Sequence, residues 1–118
     1  MKDSVKIILI FLVVVCISSC EKVTLEPEEY DFDEPVSFEQ DIVPIFENKC
    51  VACHNDNRNP DLRSENAFQS LTTGGFVNTS EPELSTLYEV LQGSHDSRAS
   101  ELEKNKILAW IKQGAKND

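Results

Sequence analysis

From Phe38 onward the apolar positions return every three or four residues, the repeat of a helix and not of a strand. Ile42, Ile45 and Phe46 fall on one face, with Asp41 placed to cap them and Pro44 in a first turn, where its missing N–H costs little. Ala67, Phe68 and Leu71 make a second short stripe that starts at Ser64 and stops at Gly74-Gly75. Ser80-x-x-Glu83 has the form of a capping box and leads into Leu84, Leu87, Tyr88 and Leu91, with Gly93 as the stop. A second box, Ser100-x-x-Glu103, leads into Ile107, Trp110 and Ile111, with Gly114 past the end. No stretch alternates as a strand. The pattern predicts an all-α domain of four short helices over residues 38–118.

The start of the chain has a different pattern. Behind Lys2 and Lys6, eleven residues from Ile7 to Ile17 run apolar. That suits an export signal and is too short for a membrane span, which needs about 20 apolar residues. The run ends Ile17-Ser18-Ser19-Cys20, which resembles the lipobox of bacterial lipoproteins. The resemblance implies that residues 1–19 are a lipoprotein signal peptide and that Cys20 is lipidated, anchoring the protein to a membrane of the cell envelope. An ordinary secretory signal is the other reading. Both send the chain out of the cytoplasm.

Residues 20–37 read as an acidic, Pro-containing tether. From Glu21 to Ser37 there are seven acids, one lysine and two prolines, a composition that repels itself and stays extended. The whole chain carries 21 acidic against 11 basic residues, a formal net charge of −10. Nucleic acid is therefore not an expected partner, because binding it takes a basic patch.

One short run carries chemistry. Cys50-Val51-Ala52-Cys53-His54 is a Cys-x-x-Cys-His sequence, the attachment signature of a c-type haem. On a helical turn, positions i, i+3 and i+4 share a face. Cys50 and Cys53 then reach the two vinyl groups along one side of a porphyrin, and His54 reaches the iron as proximal ligand. Other uses of the pair fit less well. A thioredoxin-like motif wants a βαβ context, and a zinc site wants four ligands. A simple disulfide leaves His54 without a purpose. With Cys16 inside the signal and Cys20 taking lipid, the four cysteines are accounted for. A domain of this length buries a modest fraction of its surface, and a covalent haem c would staple it.

A helix, then Cys-x-x-Cys-His, a Pro-containing loop, short helices and a terminal helix with an aromatic resembles a class I cytochrome c domain. Asp41-Ile-Val-Pro-Ile-Phe46 and Trp110-Ile-Lys-Gln-Gly-Ala115 are similar to the single-haem envelope domains of Bacteroidota and Planctomycetes. The resemblance implies a small cytochrome c-like fold around the haem, with first and last helices crossing and Phe46 near Trp110. It also implies that the carbonyl of Pro60, in Asn59-Pro60-Asp61-Leu62, accepts a hydrogen bond from His54 Nδ1 and orients the ring. Asn-Pro is equally a turn signal.

The chain departs from that family in one respect. Members usually place a Met before the final helix as second axial ligand, whereas here the segment reads Ser94-His95-Asp96-Ser97-Arg98-Ala99-Ser100, and the single Met is Met1. His/Met ligation within the domain is excluded by composition. Two expectations follow: His95 completes a bis-His haem, with a lowered potential, or the sixth position is open and His95 is a bystander. Arg58, Arg63 and Arg98 are candidates for pairing with haem propionates, or plain surface residues.

The function expected is electron transfer by a lipid-anchored, single-haem c-type cytochrome, exchanging electrons with redox proteins of the envelope. It is expected not to be an enzyme. The alternatives are a haem-based small-ligand sensor or peroxidase-like protein with an open site, and a non-haem envelope module whose Cys pair is oxidised.

Overall fold

The computed structural model describes residues 29–118. The export signal, the lipidation expected at Cys20 and the tether up to residue 28 lie outside the described residues. Four α-helices carry the domain: α1 Val43–Lys49, α2 Ala67–Thr73, α3 Thr86–Gln92 and α4 Glu101–Lys112. Among the described residues there is no strand, so the all-α class expected from the periodicity is observed. None of their helices is long and apolar enough to cross a membrane.

The entry to α1 differs from expectation. It starts four residues earlier, with a π-helical turn Phe38–Ile42 running directly into α1. Pro44 explains the widened turn. Its ring crowds the carbonyl four residues back and it has no N–H to offer, so the preceding turn closes instead from the Val43 N–H to the Phe38 carbonyl. Asp41 is not the cap. Ser37 is, its side chain accepting from the Gln40 N–H at 3.2 Å, while Asp41 reaches back to accept from the Ser37 N–H at 3.0 Å.

The two capping boxes have opposite fates. Ser100 and Glu103 bond reciprocally at the start of α4, at 3.3 and 2.7 Å. Ser80 and Glu83 do not form a box. Pro82 opens a 3₁₀ turn, Pro82–Leu84, and Glu83 turns away to Lys112 at 2.8 Å. The helix begins only at Thr86, behind Ser85, which leaves Leu84 off the apolar face and 57% exposed. Similarly, α2 begins at Ala67 behind Asn66, and Ser64 bonds only to its neighbour Glu65.

The core is built on α4. Ile107, Ala109, Trp110 and Ile111 are buried against Phe38, Ile42, Phe46, Leu71 and Leu87. The aromatic centre is arranged differently from the resemblance. Phe38 sits in the middle, with ring centroids 5.0 Å from Trp110, 6.3 Å from Phe46 and 5.4 Å from Phe68. The contact expected of Phe46 with Trp110 is made by Phe38, because the early start of the helix brings that ring in. Past α4, Gly114 at φ +98° reverses the chain, and the Trp110 indole N–H donates to the Lys116 carbonyl at 2.8 Å.

The folded part also begins before Phe38. Val36 is buried, and Tyr30 and Phe32 pack on the core. The Gln113 side chain clamps this acidic segment. Its amide N–H groups donate to the Phe32 and Glu34 carbonyls at 3.1 and 2.8 Å, and its oxygen accepts from the Val36 N–H at 3.0 Å. The Lys112 ammonium stands 4.7 Å over the Phe32 ring. Residues 30–36 are thus a strap laid on the end of α4 and not an extended tether, since the apolar residues among the acids supply what charge alone argued against.

Candidate functional site

Cys50 closes α1, and the chain continues in one more helical turn. Both the Cys53 and His54 N–H groups donate to the Cys50 carbonyl, at 3.0 and 2.8 Å. That turn puts positions 50, 53 and 54 on a common side, as the spacing requires. Both thiols are free, Cys50 half-buried and Cys53 exposed. Burial, and then the charge of Glu103, pushes the Cys50 thiol up from its ordinary value. The position matters as much as the shift. A redox-active or thiolate cysteine is activated at a helix N-terminus or beside a cation, whereas Cys50 stands at a C-terminus, where the helix dipole disfavours negative charge. Thioredoxin-like chemistry has no support here.

His54 is held at two points. Its backbone carbonyl accepts from the Leu62 N–H at 3.0 Å, and its Nδ1 lies 3.1 Å from the Pro60 carbonyl. A carbonyl only accepts, so Nδ1 carries the proton and Nε2 keeps its lone pair for another partner. The loop between is itself braced. Asp61 accepts from the Arg63 guanidinium at 2.6 and 3.0 Å, from the Arg63 N–H at 3.1 Å and from the Asn66 amide at 2.9 Å. The Asp61 N–H donates to Ser70 of α2 at 2.9 Å. The Arg63 hydrogen bond holds the Asp61 carboxyl far below the usual carboxylate range, and Asp61 raises Arg63 in turn. Arg63 is therefore committed to this brace and not to a ligand. Arg58 and Arg98 are exposed and make no ion pair among the described residues.

Near His54 stands His95. The two ring centroids are 6.1 Å apart, inclined by 52°. His95 lies just after α3, where its N–H donates to the Val90 carbonyl at 2.8 Å, and its Nδ1 meets the Ser94 hydroxyl at 2.9 Å. In both histidines Nδ1 is engaged and Nε2 remains. With metal–imidazole bonds of about 2 Å, two rings that bind the same metal have centroids up to about 6 Å apart. The separation observed fits that arrangement. Two free thiols on a helical turn beside such a pair make a donor set compatible with haem c. Among the described residues, no group of three or more His, Cys, Asp and Glu side chains is arranged to hold a metal ion.

Compared with known proteins, the chain matches no family model, no curated protein and no solved structure.

Several residues that organise the site were not singled out by the sequence. In the sequence Asp61 is only part of an Asn-Pro loop. Lys104 sits three residues before Ile107 on the apolar stripe of α4, a register where a charged residue is out of place. It is 1% exposed, and its ammonium bonds to Asp96 and, at 2.8 Å, to Glu101.

Proposed function

We propose that the chain is a single-haem c-type cytochrome that carries electrons in the bacterial envelope. Cys50 and Cys53 would hold the haem by thioethers, and His54 and His95 would bind its iron. The observation that carries this reading is the pair of neighbouring imidazoles, 6.1 Å between centroids, next to the Cys-x-x-Cys turn. The haem supplies one-electron redox chemistry when bound. What the chain supplies is positioning. Pro60 would fix the His54 ring and tautomer, the Asp61 brace keeps Pro60 in place, and Cys50 remains a neutral thiol available for addition to a vinyl group. Two nitrogen ligands, with no thioether sulfur, favour a lower potential than His/Met ligation gives. The lipobox-like Cys20 supports a site of action at a membrane surface, with redox proteins as partners.

The test is expression of the full chain in cells competent for cytochrome maturation. Haem that survives a denaturing gel, a low-spin spectrum, and high-spin, carbon-monoxide-binding behaviour in His95→Ala are the expected results. A colourless protein would sink the reading, and a wild type that binds carbon monoxide would favour the open-site sensor or peroxidase-like alternative.

A further inference from the structure

The loop that carries His95 has little apolar hold. Between Gly93 and Ser100 only Ala99 packs against the core, and the remaining residues are polar or glycine. Backbone bonds give it a local shape. The Asp96 N–H donates to the Gly93 carbonyl at 3.1 Å and the Arg98 N–H to the His95 carbonyl at 2.9 Å. Those two bonds lie within the segment, and the His95 N–H ties it back to the Val90 carbonyl of α3 at 2.8 Å; none of the three reaches α4. The link to α4 is ionic: Lys104 rises from the buried stripe and bonds to Asp96, the residue next to His95, and to Glu101 in the first turn of its own helix.

We propose that Lys104 is a positioning residue for His95, its buried ammonium tying Asp96 to α4 so that the His95 ring is kept beside His54. The proposal rests on the cytochrome reading for its purpose, though not for its geometry. A buried ammonium is costly without partners, and an apolar residue of similar volume at the same place is often neutral or stabilising. Stability alone is thus a poor reason for a lysine at position 104. Register of a polar loop is a better one, because only a charged tip reaches out of the stripe to the carboxylate beside His95.

The test compares wild type, Lys104→Leu and Lys104→Arg as full chains. Amide hydrogen exchange of the segment 93–99, read by mass spectrometry, needs no haem. Exchange there should quicken at least tenfold in Lys104→Leu, with the α4 amides unchanged, and Lys104→Arg should restore most of the protection. In coloured protein the same Leu variant should keep its covalent haem but gain a high-spin fraction and bind carbon monoxide. Should Lys104→Leu fail to fold, Asp96→Asn with Glu101→Gln gives the same readings while changing only exposed carboxylates. Unaltered exchange at 93–99 overturns the proposal, whatever the colour. Colourless protein with the expected exchange change overturns the cytochrome reading and leaves the tie standing.

Discussion

A methyl group at position 74 would meet the Ser70 carbonyl and the Phe76 ring, the latter at 2.7 Å, although the backbone there is ordinary helix. At Gly75 the situation is reversed: the space is open, but φ is +74°. The two neighbours therefore fail for different reasons when replaced by Ala. Gly74→Ala should destabilise by about 2 kcal/mol through overpacking, and Gly75→Ala by about 1 kcal/mol through backbone strain. Urea unfolding separates them. At this scale the sequence was informative where chemistry is dense. Cys50, Cys53 and His54 announce themselves by spacing. Lys104 and Asp61 do not, because their importance lies in partners on other elements, and a single sequence does not reveal which carboxylate a lysine meets.

The two Ser-x-x-Glu motifs show how far local pattern reaches at the scale of elements. Ser100→Ala removes a formed box and should cost about 1 kcal/mol. Ser80→Ala removes a motif that caps nothing and should leave the unfolding midpoint within error. Pro82 is what separates them, since its ring and missing N–H lead into a 3₁₀ turn before α3. All four helices were legible from their stripes, and their starts were not. Three of the four begin elsewhere than the capping residue suggested, as Ser37, Asn66 and Ser85 take the places expected of Asp41, Ser64 and Ser80. Ser85 shows why: it is buried and its hydroxyl accepts from the Asn78 N–H at 2.9 Å, a tertiary bond that no local rule contains.

For the molecule as a whole, Asp41 and Lys106 join the first helical segment to α4 at 2.9 Å. The Lys106 hydrogen bond lowers the Asp41 carboxyl, and the same bond raises Lys106. A carboxyl lowered in the folded state stabilises above its unfolded pKa of about 3.9, and that stabilisation is lost as pH falls through the native value. A raised lysine stabilises below about 10.4, and loses that stabilisation as pH climbs through its native value. The pair thus works across neutral pH. Asp41→Asn should lower stability by about 0.5 kcal/mol at pH 7, allowing for solvent screening, and the difference should be smaller at an acid pH below the unfolded pKa of about 3.9. Thermal melts at both pH values check this.

The Gln113 clamp has a mechanical consequence. Force entering through the acidic segment at residue 29 is met first by three side-chain hydrogen bonds on Gln113 and the seated Val36, at the far end of α4 from the His95 loop. A pull on that segment loads the tail of α4, the end away from the loop that carries His95.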